Sequence, residues 1–224
     1  MGIAAVKSWR AVLGYACVVL LLVNSIAIGD SFKVALSEAQ LAAAEAKFGK
    51  ESRKRLTDWV DLMDNNKQKS DQEKIALAND FFNQLLFVSD LDHWGVVDYW
   101  ATPFEMISTG GGDCEDYAIG KYFTLLALGV SIDKMKITYV KATGHGLQNA
   151  AHMVLTYYAS PSAMPVVLDN LNPEIKPADQ RPDLVPVYSF NGDGLWLAKE
   201  RGEGKAVAGG NKIKMWQDMM TRMS

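Results

Sequence analysis

Gly110-Gly111-Gly112-Asp113-Cys114-Glu115-Asp116-Tyr117-Ala118 is the stretch on which the reading of this chain turns. Three glycines make a turn. Asp113 is an N-cap residue type, and the apolar positions after it predict a helix to about Leu128, stopped at Gly129. Cys114 is thereby delivered to a first helical turn, where unpaired backbone N–H groups favour an anion and a thiol is expected to ionise more easily than in water. It is the only cysteine outside the N-terminal apolar segment. A buried, inert cysteine is the plainer alternative. Buried cysteines, however, sit within apolar runs, whereas Cys114 lies between two carboxylates after three glycines.

Downstream, His152 opens the extended run Met153-Val154-Leu155-Thr156-Tyr157-Tyr158, and Asp169 closes Pro165-Val166-Val167-Leu168. Two neighbouring antiparallel strands would bring these side chains together. The order Cys, His, Asp then suits a nucleophile, a base and a group that fixes the base's tautomer, adjacent in space rather than in sequence. Only three histidines exist. His145 stands between glycines and reads as a loop tip, and His93 abuts Trp94.

Around this centre, apolar residues at helical spacing over 37–63 predict two helices broken near Phe48-Gly49-Lys50, and a further helix over Asp71–Val88 with Ser70 and Glu73 as a capping box. Residues 89–112 are aromatic, acidic and irregular, and suit the wall of a site. Strands are expected over Lys136–Ala142, Ala151–Tyr158, Val166–Leu168, Leu184–Asn191 and Leu195–Ala198, with Asn191-Gly192-Asp193-Gly194 as a hairpin turn. A last helix is expected over about Lys212–Met223. Helices followed by antiparallel strands describe an α+β domain.

The first residues read differently. Lys7 and Arg10 precede the uncharged apolar run Ala11–Val23, and Ser25-Ile26-Ala27 offers a small-x-small cleavage pattern. Residues 1–27 read as a secretory signal peptide, leaving 28–224 as one domain with a helical subdomain over about 37–88. The alternative is an uncleaved anchor, since Ala11–Ile28 nearly suffices to span a bilayer. Removal would take Cys17 away and leave one thiol in an exported protein. A net charge of −3 gives no general attraction to nucleic acid. Arg53-Lys54-Arg55 fits the solvated face of a helix.

Several segments together resemble a known family. Asp113-Cys114-Glu115-Asp116-Tyr117-Ala118 at a helix start is followed by Leu128-Gly129-Val130, Ala151-His152-Met153-Val154-Leu155 and Leu168-Asp169-Asn170-Leu171. With Trp94-Gly95, Asp98-Tyr99-Trp100-Ala101-Thr102-Pro103-Phe104-Glu105, Tyr188-Ser189-Phe190-Asn191 and Gly194-Leu195-Trp196, these resemble the transglutaminase-like papain superfamily. More closely, they are similar to the bacterial transglutaminase-like cysteine proteinases of the LapG type. The resemblance covers roughly residues 38–199. It implies a papain-like fold and a calcium-dependent periplasmic endopeptidase with Cys114, His152 and Asp169 as its triad. Such enzymes cleave a large surface adhesin near its N-terminus, release biofilm cells, and are sequestered by an inner-membrane receptor for cyclic-di-GMP. Acyl transfer to an amine by the same triad, and a non-catalytic calcium-binding interaction protein, are the competing readings.

Asp113, Glu115 and Asp116 crowd negative charge around the thiol, which would raise its pKa unless a hard cation neutralised them. Acids in a first helical turn also favour the helix dipole, so the residues alone leave both readings open. Further oxygens for such a cation would come from Asp90, Asp92, Asp98 or Glu105, or from backbone carbonyls, and the resemblance implies Ca2+ at Asp113 and Glu115 first and Asp116 after them. The oxyanion hole is expected to use the Cys114 N–H and a donor from Trp100 or Tyr99. The segment around Trp94, Tyr99 and Trp100 is where exposed apolar area, and hence a partner surface, is expected.

Overall fold

The computed structural model describes residues 34–144, 146–192, the backbone of 195–197, and 214–223. The signal segment, Cys17, His145 and the Asp193-Gly194 half of the expected turn lie outside the described residues.

Helix α1 (Glu38–Phe48) starts at Ser37, whose hydroxyl accepts from the Gln40 N–H, and it stops at Gly49, whose φ of +87° ends the helix. Helix α2 (Lys50–Asn66) buries Leu56, Trp59 and Met63. Helix α3 (Asp71–Phe82) carries the expected Ser70–Glu73 capping box. It ends six residues before Val88, because Leu86–Phe87 form a short strand, β1, that pairs in parallel with β2 (Gly111–Gly112). The segment expected to be irregular contains two short helices, α4 (Asp90–Trp94) and α5 (Pro103–Thr109). Ser89 and Thr102 are their N-caps, and Pro103 occupies the first turn of α5. Helix α6 (Cys114–Ala127) follows.

The strands β3 (Met135–Gly144), β4 (Leu147–Tyr157), β5 (Val166–Leu168), β6 (Lys176–Pro177), β7 (Leu184–Phe190) and β8 (Leu195–Leu197) form one antiparallel sheet in the order β6-β5-β4-β3-β7-β8. Helix α7 (Lys214–Met223) comes last and buries Trp216 and Met219 in the main core. The α+β arrangement matches the sequence reading.

Strand alternation divides β4 between two apolar clusters. Met153, Leu155 and Tyr157 join the main core with α6, while Val154 joins Val140 and Val167 in a smaller cluster covered by Ala178 and Leu184. Helix α6 is apolar nearly all round and is buried along most of its length, as a central helix should be. It meets α3 at Gly120, where any Cβ would overlap the ring of Phe82, itself fully buried.

Arg55 departs from the expected solvated face. Lys54 does pair with Asp58 at the surface, but Arg55 turns inward. Its Nε and Nη2 donate to the carbonyls of Ile107 and Ser108, each at 2.8 Å, so it caps the C-terminal end of α5 and sits against Gly110. The turn that delivers Cys114 is thus anchored from α2.

Gly120→Ala is expected to lower the thermal midpoint even though alanine is worth about 1 kcal/mol in a helix interior. Overpacking against Phe82 costs about 1–3 kcal/mol and outweighs it. A Phe82→Leu substitution in the same chain should recover part of the loss, and calorimetric or circular-dichroism melts check both.

Candidate active site

His152 lies on β4 and Asp169 directly follows β5, its antiparallel neighbour, with Leu155 opposite Leu168. The two side chains meet: His152 Nε2 is 2.8 Å from Asp169 Oδ1, with both residues buried. Burial alone would push the Asp169 carboxyl up. The bonds from His152, Arg181 and the Leu171 N–H overcome it and hold it down at about 2. The carboxylate is therefore ionised near neutrality and can only accept, so Nε2 must carry the proton and Nδ1 is left as the basic nitrogen.

Three further residues secure Asp169, and none was singled out from sequence. Arg181 Nη2 donates to Oδ2 at 2.7 Å. Asn83 Nδ2 donates to the Asp169 carbonyl at 2.9 Å, and Asn83 Oδ1 in turn accepts from Lys121 Nζ at 2.8 Å. Lys121 is fully buried on α6, and burial lowers its pKa to about 7 against the pull of Asp169 and Asp80. A lysine inside an apolar helical face was the only available signal for this tie.

Cys114, at the start of α6, meets β4 at the Met153 backbone N–H, next to His152. Its thiol donates to Glu115 Oε2 at 3.0 Å. The expectation of an easily ionised thiol is reversed here. Burial, then Glu115 and Asp113, push the Cys114 thiol well up, and the Met153 N–H opposes them only in part. Burial together with two nearby carboxylates outweighs the partial charge of one helix end.

Those carboxylates belong to a larger group. Their ligand atoms gather in three overlapping groups, each close enough to hold a metal ion: Asp90, Asp113 and Asp116; Asp90, Asp98 and Glu115; and Asp113 and Glu115 with the Cys114 sulfur. Burial and mutual repulsion push Asp90 up to about 6 and Asp113 up to about 9, and Asp98 and Asp116 also rise. Asp90 Oδ1 and Asp113 Oδ1 are buried with no hydrogen-bond partner. Orphaned carboxylate oxygens turned toward other carboxylates suit a hard, oxygen-seeking cation. Asp116 has a second job: its Oδ1 accepts from the Ala101 N–H at 2.7 Å and its Oδ2 from the Asp113 N–H at 3.3 Å, tying the two segments together. Asp92 and Glu105 are taken up in the caps of α4 and α5.

A family model described as bacterial transglutaminase-like cysteine proteinase matches residues 46–191. The chain belongs to this family. Among solved structures, Legionella pneumophila LapG is 41% identical over 86% of this chain and 99% of its own, with a TM-score of 0.72. The EGTA-treated form of LapG gives 41% identity, 86% and 100% coverage and a TM-score of 0.74. The calcium-bound form gives 42%, 84% and 100%, and 0.71. No curated protein sequence matches the chain.

Other residues of this cysteine proteinase sit less simply than the sequence suggested. The Tyr99 hydroxyl donates to Glu105 at 2.9 Å, and the Trp100 indole N–H is engaged by Asp98, so neither is a free oxyanion donor in this arrangement. Trp100 is buried and stacks on Phe190, while His93 stacks on Trp94, which packs on Tyr99. Arg222 of α7 clamps this segment: it donates to the Trp100 carbonyl, lies over the Tyr99 ring and pairs with Glu105. The exposed apolar area nearby is not aromatic in the main. It comes from Leu86, Phe87, Leu91, Val96 and Val97, Val97 being 88% exposed. Among the described residues no helix is long and apolar enough to cross a membrane.

The depressed pKa of Asp169 carries a pH signature. Its folded value of about 2 lies below the ordinary 3.8, so it stabilises the fold above about pH 4, and that contribution is lost as the pH falls toward 2. Unfolding free energies of wild type and Asp169→Asn should differ by about 2 kcal/mol at neutral pH and converge near pH 2. Denaturant titrations across that range check it.

Proposed function

We propose that this protein is a calcium-dependent cysteine endopeptidase of the periplasm that cleaves the N-terminal region of a large surface adhesin. Cys114, His152 and Asp169 are its catalytic residues. The observation that carries this reading is the buried His152–Asp169 bond, because it leaves Nδ1 as the base beside the strand position that touches Cys114. Family membership and the likeness to LapG support it.

In this reading His152 Nδ1 takes the Cys114 proton as the sulfur attacks the scissile carbonyl, and Asp169 stabilises the imidazolium that results. The oxyanion is met by the Cys114 backbone N–H at the start of α6. His152 then protonates the leaving amine, the acyl-enzyme forms, and water releases it. Asp113, Glu115, Asp90 and Asp98 would hold calcium, with Asp116 bracing them. When bound, the ion supplies positive charge that offsets the carboxylates now raising the thiol's pKa. The solved calcium-bound and EGTA-treated forms of LapG support a place for calcium in this family.

Export by the N-terminal segment, release as a protein with no membrane insertion, and restraint by an inner-membrane cyclic-di-GMP receptor complete the reading. Release of the adhesin would disperse a biofilm. The exposed apolar residues from Leu86 to Val97 are the receptor's candidate contact.

The decisive experiment is digestion of the N-terminal region of an adhesin from the same genome, with and without chelator. Cleavage should stop in chelator and return with calcium but not magnesium, which demands a tighter octahedral shell. Cys114→Ala should abolish cleavage with the fold intact, while His152→Ala should lose several orders of magnitude. Asp113→Ala or Glu115→Ala should copy the chelator. Cleavage that persists in Cys114→Ala would defeat the reading, and incorporation of a labelled amine in place of hydrolysis would turn it toward a transglutaminase.

A further inference from the structure

The segment between β6 and β7 closes the smaller apolar cluster of the sheet with Ala178 and Leu184, and it carries a charged pair inward. Arg181 is 3% exposed, and its Nη2 reaches both Asp169 Oδ2 at 2.7 Å and Asp183 Oδ2 at 2.8 Å. Its Nε is shared between the two Asp183 oxygens at 3.0 and 3.2 Å. Asp183 is held in turn by backbone, since its carbonyl accepts from the Thr143 N–H at 2.8 Å. The result is a row of alternating charge, His152, Asp169, Arg181 and Asp183, running from the base of the site to the edge of the solvent.

Geometry gives each member a separate task. Asp169 Oδ1 is occupied by His152 and by the Leu171 N–H at 3.0 Å. Oδ2 is taken by Arg181 alone among the hydrogen bonds described. A carboxylate pinned at both oxygens cannot rotate about its terminal bond, so the imidazole it holds keeps one orientation. A lone arginine at that distance would also cancel the charge that Asp169 offers an imidazolium. Asp183 draws off part of that cation's field and restores it.

We propose that Arg181 and Asp183 form a positioning pair for the base: Arg181 fixes the Asp169 carboxylate, and Asp183 offsets Arg181 so that Asp169 still supports a protonated His152. This rests on the catalytic reading of His152 and Asp169. Neither residue touches substrate. Among the described residues the further charged group acting on Asp169 is Lys121 of α6, with Asp80 acting on Lys121, and both stay constant in the comparison.

The test reads the His152 ring directly, by histidine-selective NMR titration of the calcium-loaded protein, alongside kcat and KM on an adhesin fragment. Arg181→Met removes a cation next to Asp169, so the His152 pKa should rise by about half a unit or more. Its kcat should fall about 10- to 100-fold with KM nearly unchanged, as the carboxylate loses its second anchor. Arg181→Lys should recover part of kcat. Asp183→Asn leaves the arginine's charge bearing on Asp169 alone, so the His152 pKa should fall instead.

Shifts of opposite sign report the electrostatic half of the pair's role, and the fall in kcat at unchanged KM, partly recovered by Arg181→Lys, reports the positioning half. Should Arg181→Met fail to fold, Asp183→Asn, at a partly exposed position, decides alone: a downward shift supports the pair, and an unmoved or raised pKa overturns it. Wild-type kcat and an unmoved ring in a folded Arg181→Met also overturn it. Failure of the catalytic reading itself shows separately, as cleavage by Cys114→Ala.

Discussion

A carboxylate taken almost wholly out of water must be met by donors, and that of Asp169 is met from three parts of the chain. His152 comes from the neighbouring strand, Leu171 from the turn beyond, and Arg181 from the segment covering the sheet. Without them burial would favour the neutral acid, which could neither fix the imidazole tautomer nor support its positive form. Asn83, just past the end of α3, donates to the Asp169 backbone carbonyl, so helix, sheet and covering loop meet at one residue. Because Lys121 reaches Asn83, the helix that carries Cys114 is joined to the same point.

The sulfur lives under the opposite regime. Its helix start favours an anion, yet burial first, and then Glu115 and Asp113, push the thiol's pKa up. Acids and thiol at adjacent positions couple the charge of Asp113 and Glu115 to the ionisation of Cys114, so whatever changes the one changes the other.

The long periodic elements were legible in the sequence because pattern and caps agreed. Ser70 opens its helix as expected, Gly49 breaks α1 from α2, and the strand carrying His152 lies beside the one that Asp169 follows. The stretch from Phe82 to Gly112 was misjudged. Helices of five and seven residues are too short to show a period, and a two-residue strand is defined only by its distant partner, Gly111–Gly112. Arg55, Arg181 and Lys121 were missed for a related reason. A charged residue is read as solvated unless its acceptor is known, and these acceptors lie 38 to 53 positions away for Arg55 and Lys121. Arg181, twelve positions after Asp169, was nearer but stood in a loop with no pattern to point inward. Tyr99 and Trp100 show the converse: their polar tips, which pattern alone leaves unassigned, are engaged by the nearby carboxylates of Glu105 and Asp98.

The clamp between Arg222 and the Trp100 carbonyl joins residues 122 positions apart. Arg222 also lies over the Tyr99 ring and pairs with Glu105. The segment that bears Asp98 is therefore gripped twice, by α6 through the bond from the Ala101 N–H to Asp116 and by α7 through Arg222. Closing so long a loop costs entropy that local contacts do not return, so the hold of α7 on this segment depends on Trp216 and Met219 staying in the core. Damage to the packing of α7 is thereby felt at the acid loop, far along the chain from where it occurs.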